Sequence, residues 1–246
     1  MLSELLRGNL TLETAIIHIL VILVIVFLVL PIHEFAHAGA AYLLGDKSIK
    51  HRGRLTFNPL SHVDPLGALC LLLLGFGWAK PVPIDPRNFK NPKVGTAITA
   101  FAGPLSNFIC ALISGAALIL TINLAPKEFF LYFYELGEDT LVAQVFYYLI
   151  LFLYNFLAIN VSLAIFNLIP LPPLDGSKVL YLFLPYKAIN FINQLQRYAY
   201  IIIYGVIIML SRSGALGGIT DFFVNICLFG NNLGDLIYNA AISALF

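Results

Sequence analysis

Leu30-Pro31-Ile32-His33-Glu34-Phe35-Ala36-His37-Ala38-Gly39-Ala40-Ala41-Tyr42-Leu43-Leu44 closes an apolar run that begins at Ala15. Between Ala15 and Leu30 the only polar side chain is His18, and Gly45-Asp46 supplies the stop. The run predicts one long membrane helix. On it His33 and His37 lie four residues apart, so both rings face one side. That is the pair geometry of H-E-x-x-H zinc sites, with Glu34 placed beside the metal as general base. The chain has only 5 His. At its composition about 0.002 such matches are expected by chance, so the motif is specific. A bland alternative is an ionisable cluster satisfied by neighbouring helices. A glutamate at bilayer depth costs about 2.5–3.5 kcal/mol, which makes function the better reading.

Hydrophobic residues are 60% of the 246 and charged residues 11%, against about 25% charged in soluble domains. The expectation is an all-α polytopic membrane protein, one membrane-embedded domain over 1–246. The net charge of +1 and the lack of a basic cluster give no sign of nucleic acid. Cys70, Cys110 and Cys227 stand alone in apolar stretches, which predicts neither disulfides nor a cysteine zinc site. Asn9 or Thr11 can cap the first helix, with Glu13 at its positive end. The first apolar run continues into the motif, so it does not read as a removable signal.

Pro31 frees a carbonyl one turn back and can kink the helix at the site. Asp46 to Asp64 is polar and basic, and Arg54-Leu55-Thr56-Phe57 alternates like a strand. A small interfacial β-hairpin or sheet is expected there. Pro65 to Trp78 is apolar but shorter than the roughly 20 residues of a span, and reads as a re-entrant or short buried segment. Lys80 to Lys93 is again basic. Both basic loops then lie in the cytoplasm by the positive-inside rule. Gly95 to Ile122 spans outward with an interruption at Gly103-Pro104. The acidic loop Asn123 to Thr140 lies outside, and Leu141 to Leu168 returns. The prolines of Ile169-Pro170-Leu171-Pro172-Pro173-Leu174-Asp175-Gly176 cannot continue a helix. Irregular backbone at this depth needs protein cover or a wet cavity. Tyr198–Leu210, Ile219–Leu228 and Leu233–Phe246 are further apolar segments, the last two short enough to lie at the interface. The total is about five to six transmembrane or re-entrant segments, with a catalytic core at about 14–185 and C-terminal apolar segments at 198–246.

Catalytic zinc usually takes three protein ligands. The candidates for the third are Asp175, the His62/Asp64 pair, Asp85 and His18. His18 is about 22 Å from His33 along the helix, too far. Asp175 is preferred, because it ends the returning span at the depth where the motif sits, and an intramembrane carboxylate needs a partner. The alternative for Asp175 is a turn residue before Gly176. His62 and Asp64 read as turn or outer-sphere groups.

These residues resemble the site-2 protease family of intramembrane zinc metalloproteases. His33-Glu34-Phe35-Ala36-His37 resembles its first motif, and Asn167-Leu168-Ile169-Pro170 with Leu174-Asp175-Gly176 its second. Asn58-Pro59-Leu60, His62-Val63-Asp64-Pro65, Gly77-Trp78-Ala79-Lys80-Pro81-Val82-Pro83 and Ala102-Gly103-Pro104-Leu105-Ser106-Asn107 are similar to its small prokaryotic members. The resemblance implies Zn²⁺ held by His33, His37 and Asp175, with Glu34 catalytic. It implies that Asn167 contacts the substrate backbone or the oxyanion. The substrate would be a transmembrane-helix protein in the bilayer of a multi-pass cell-membrane enzyme, cut toward the cytoplasmic side. Neither a PDZ nor a CBS domain, both found in relatives, has room here. The rivals are a metal transporter, which would need polar ligands along several spans, and an inactive scaffold, against which the intact motif speaks.

Overall fold

A computed structural model describes residues 19–74, 77–198, 205, 209 and 214–245. The capping residues Asn9, Thr11 and Glu13, the histidine His18 and most of Tyr198–Leu210 lie outside the described residues.

The described residues are mainly helical. Helix α1 runs Ile19–Leu43, α2 Ser48–His51, α3 Pro65–Leu74, α4 Pro92–Asn123 and α5 Lys127–Phe133. Then come α6 Leu141–Leu168, α7 Asp175–Leu180, α8 Tyr186–Leu195, α9 Ala215–Cys227 and α10 Leu233–Leu245. Three of them, α1, α4 and α6, are long and apolar enough to cross a membrane, with 25, 32 and 28 residues. At 1.5 Å per residue even the shortest covers about 37 Å, beyond the roughly 30 Å hydrocarbon core. Side chains such as Ile113, Leu120 and Tyr148 are more than half exposed on these helices, as suits surfaces solvated by lipid rather than water. The composition and these helices make it a membrane protein.

Two compact units are present. One takes Met1–Asn107 and Phe166–Tyr200, the other Phe108–Ile165 and Ile201–Phe246. The second unit is an apolar core around Ala111, Leu118, Phe129, Phe130, Leu157 and Cys227. There Ser114 donates to the Leu153 carbonyl at 2.8 Å, so its hydroxyl is not left bare. The acidic loop expected between the spans contains a helix, α5, whose Phe129 and Phe130 are fully buried. Cys70, Cys110 and Cys227 are free thiols.

The first unit holds α1 and the polar loops. Proline at 31 cannot donate to the turn before it, and the ladder widens there. Residues Ile25–Val29 form a π-turn, closed by Leu30 N–H on the Ile25 carbonyl. Such wide turns absorb a local mismatch and recur at functional sites. Beyond α1, a small apolar cluster of Ala38, Ala41, Ile49, Val82 and Phe89 fastens the 82–89 loop to the helix. Burying a side chain such as Val82 or Phe89 stabilises by about 1.5–3 kcal/mol. Asp46, fully buried, accepts from Ser48, the Asp85 amide and Asn88. Burial works to raise its pKa, but these hydrogen bonds outweigh it and hold the carboxyl below the usual aspartate value.

Two expectations change, the interfacial sheet and the interruption at Gly103-Pro104. No sheet forms among the described residues, whose β pairing is an isolated antiparallel bridge, Val63 to Ala79. Arg54-Leu55-Thr56-Phe57 forms no strand and bends at Leu55-Thr56. Its groups are taken by neighbours instead: the Thr56 carbonyl accepts from His62 Nε2 at 2.8 Å, Arg54 donates to the Ser61 carbonyl, and Phe57 stacks on Phe35. Four alternating residues followed by Asn58-Pro59 have no partner strand to pair with. Gly103-Pro104 does not interrupt α4, which carries Pro104 inside it. The apolar segments that become α9 and α10 have 13 residues each, about 20 Å of helix, shorter than a straight span.

Candidate active site

The motif side chains sit in the second half of α1, and His33, Glu34 and His37 are all buried. The rings of His33 and His37 meet edge-on, their centroids 4.6 Å apart, and their Nε2 atoms are 3.1 Å apart. Asp175 opens α7, after the proline-rich break that stops α6. Its Oδ2 lies 3.1 Å from His37 Nε2 and 3.3 Å from His33 Nε2. The ligand atoms of all three lie within 4.8 Å of one another. Gly176 permits the turn that brings Asp175 in. A side chain there would meet the Leu168 backbone and come within 2.6 Å of the Ile169 carbonyl oxygen.

The outer bonds of the imidazoles decide what the inner atoms are. His37 Nδ1–H donates to the Thr99 carbonyl at 2.7 Å, and His33 Nδ1–H donates to Asn107 Oδ1 at 2.7 Å. A carbonyl oxygen can only accept, so each neutral ring keeps its proton on Nδ1 and presents a bare Nε2. Two bare nitrogens and a carboxylate oxygen then point at one another at near contact. Three lone pairs at this spacing repel unless a cation sits among them. Two imidazoles and a carboxylate are a borderline-soft donor set that suits zinc, and the outer hydrogen bonds are those that orient metal-bound histidines. The second oxygen of Asp175, Oδ1, faces the Lys178 ammonium at 3.4 Å. Glu34 does not join the triad. Its Oε2 accepts the Val82 amide at 3.2 Å.

The other candidates are employed elsewhere. His62 is fully buried and holds the Thr56 carbonyl. Asp64 accepts the Leu66 and Gly67 amides at the start of α3. Asp85 pairs with Arg87, which holds its carboxyl down at about 2. Asn167 lies half-buried in the last turn of α6. Thr99, Gly103 and Asn107 line the triad; the sequence reading did not single out Thr99, and it named Gly103 and Asn107 only within the Ala102–Asn107 stretch, with no role at the metal site. Their four-residue spacing puts them on one face of an apolar span, and that polar stripe was the available signal. Asn107→Ala should weaken zinc binding about 10–100-fold, the usual loss for an outer-sphere partner. Competition with a chromogenic chelator measures it, and the expected fold change should be smaller than for His33→Ala.

The fold and the triad define a membrane protein of the metallopeptidase kind. Residues 19–211 match the model of Peptidase family M50, and the chain belongs to that family, the site-2 proteases. Among curated relatives it is 37% identical over 170 residues to "Putative zinc metalloprotease YwhC" of Bacillus subtilis, covering 69% of this chain and 72% of that one. It is 31% identical over 152 residues to "Putative zinc metalloprotease Rip2" of Mycolicibacterium smegmatis, covering 60% of this chain. The match spans about half of that relative's length, 51%. No solved structure matches.

Proposed function

We propose that this chain is an intramembrane zinc metallopeptidase that hydrolyses peptide bonds within or near transmembrane helices of other membrane proteins. The observation that carries the reading is the convergence of His33 Nε2, His37 Nε2 and Asp175 Oδ2, with each imidazole held from behind at Nδ1 by an oxygen acceptor. In this reading those three residues hold the ion. When bound, zinc supplies a water of lowered pKa and polarises the scissile carbonyl. Glu34 takes the proton of the attacking water and later gives it to the leaving amine, so no net proton is lost. The Val82 amide on Oε2 leaves the other oxygen of that carboxylate for this transfer. Asn167, at the end of α6, binds the substrate backbone. The substrate helix has its amides tied in i to i−4 bonds, so it must unwind before attack.

The reading extends to topology. The catalytic core is residues 14–185 of one membrane-embedded domain, with five to six transmembrane or re-entrant segments, α3 among the re-entrant ones. The exposed Lys50, Arg52 and Lys80 support, by the positive-inside rule, a cytoplasmic location for the loops around the site. A transporter would need further ligands along the spans. Among the described residues, the triad is the cluster of three or more such groups close enough to hold an ion. The test is quantitative proteomics on membranes carrying the wild type or Glu34→Gln. A membrane protein cut within a span only in the wild-type membranes is the expected result. Identical cleavage in both sets of membranes would sink the proposal.

A further inference from the structure

Glu34 is oriented by the Val82 amide, and Val82 lies in a stretch, 80–85, that has no helix or strand of its own. Where that amide stands depends on what the stretch is tied to. One tie is apolar, the Val82 side chain against Ala38 and Ala41 of α1. The other is polar and converges on Asp46. Its Oδ2 accepts the Asp85 amide at 2.8 Å, and its Oδ1 accepts Asn88 Nδ2 at 2.8 Å. The same Oδ1 takes the Ser48 amide and hydroxyl. Asp46 is itself anchored to α1, its amide on the Ala41 carbonyl at 2.9 Å. So α1 holds the loop at both ends, through Glu34 on Val82 and through Asp46 on Asp85 and Asn88.

We propose that Asp46 is a positioning residue for the catalytic base, fixing the 82–88 loop so that the Val82 amide orients the Glu34 carboxylate. This rests on the reading of Glu34 as the base. The hub needs a carboxylate, because four donors meet an acceptor-only group. An asparagine would turn an amide N–H against one of them. Gly45, beside it, lies so close that a side chain would come within 2.8 Å of the Asn88 carbonyl oxygen. The frame has little slack.

The test uses the full chain in dodecyl maltoside micelles, with three variants. Asp46→Asn breaks the hub, Asn88→Ala breaks one tie to the loop, and Ser48→Ala removes a contact to the same carboxylate without touching the loop. Hydrolysis of fluorescein-labelled casein, zinc per chain and amide exchange at Val82 are measured. For Asp46→Asn and Asn88→Ala, kcat should fall about tenfold or more, since a misplacement of about 1 Å can cost about 10²-fold. KM should stay within about twofold, the signature of a loss felt only in the transition state. Zinc per chain should not change, and the Val82 amide should exchange faster. Ser48→Ala should match the wild type in all four. Unchanged Val82 exchange in both loop variants overturns the proposal, whatever happens to casein. So does a fall in kcat that Ser48→Ala shares or that follows loss of zinc, because Asp46 then only supports the fold. If Asp46→Asn does not fold, Asn88→Ala carries the test alone. A Glu34→Gln variant that cuts casein as fast as the wild type counts against the peptidase reading. The exchange measurement still decides on Asp46.

Discussion

Glu34→Gln should lower peptide hydrolysis by about 10²–10⁴-fold, the contribution of a positioned general base, while zinc per chain stays at the wild-type level. The two halves of this outcome come from different atoms. The triad is made by His33, His37 and Asp175, and Glu34 is not in it. Glu34 accepts the Val82 amide through Oε2. A glutamine keeps a carbonyl oxygen for that amide and nearly the same volume, so the site has no reason to rearrange. What it lacks is a lone pair basic enough to take a proton from water. Measuring both quantities on one preparation separates chemistry from binding. Loss of zinc together with activity would mean that Glu34 acts as a ligand. Full activity with zinc retained would remove it from the mechanism. Asp175→Ala should do the reverse, losing zinc first, because it takes away one of three donors and leaves two bare imidazole nitrogens facing each other.

How much of this could be read from the chain follows from how far apart the partners lie. His33, Glu34 and His37 lie within five consecutive residues, and helical spacing alone puts both rings on one face. Asp175 was legible for another reason: three prolines must end α6, and a carboxylate at such a break needs a partner. The second half of the site comes from contacts across long stretches of chain. Asn107 is 74 residues from His33, and Thr99 is 62 from His37. No local rule joins them, although the stripe of Thr99, Gly103 and Asn107 on an apolar span was visible. Asp46 reaches 39 residues to Asp85 and 42 to Asn88, and in the sequence it looked like a helix stop. The hairpin failed in the opposite way. A local alternation was present at Arg54-Leu55-Thr56-Phe57, but a strand needs a partner, and side chains from His62 and Phe35 satisfied that stretch instead. Gly103-Pro104 was read as a break because proline lacks a donor. A membrane helix tolerates that loss when neighbours take up the freed groups.

Gly103→Ala should therefore disable the enzyme through the metal site rather than through the helix. In a water-exposed helix this change would stabilise by up to about 1 kcal/mol. Here the new methyl would lie 2.5 Å from His37 Cε1 and 2.7 Å from His33 Cε1, closer than carbon atoms can pack. The rings cannot step aside freely. His37 is held at Nδ1 by the Thr99 carbonyl and His33 by Asn107, each at 2.7 Å. Moving either ring gives up a buried hydrogen bond, which costs about 1–3 kcal/mol. Moving both also carries the Nε2 atoms away from Asp175. Zinc affinity should fall by about 10–100-fold or more, in line with disturbed outer-sphere geometry, and cleavage should fall with it. The thermal midpoint measured without metal should fall only by the few degrees that the lost buried hydrogen bond costs. Wild-type zinc affinity in Gly103→Ala would mean that the imidazoles have room to move, and the tight placement of the two rings would then have no part in holding the ion.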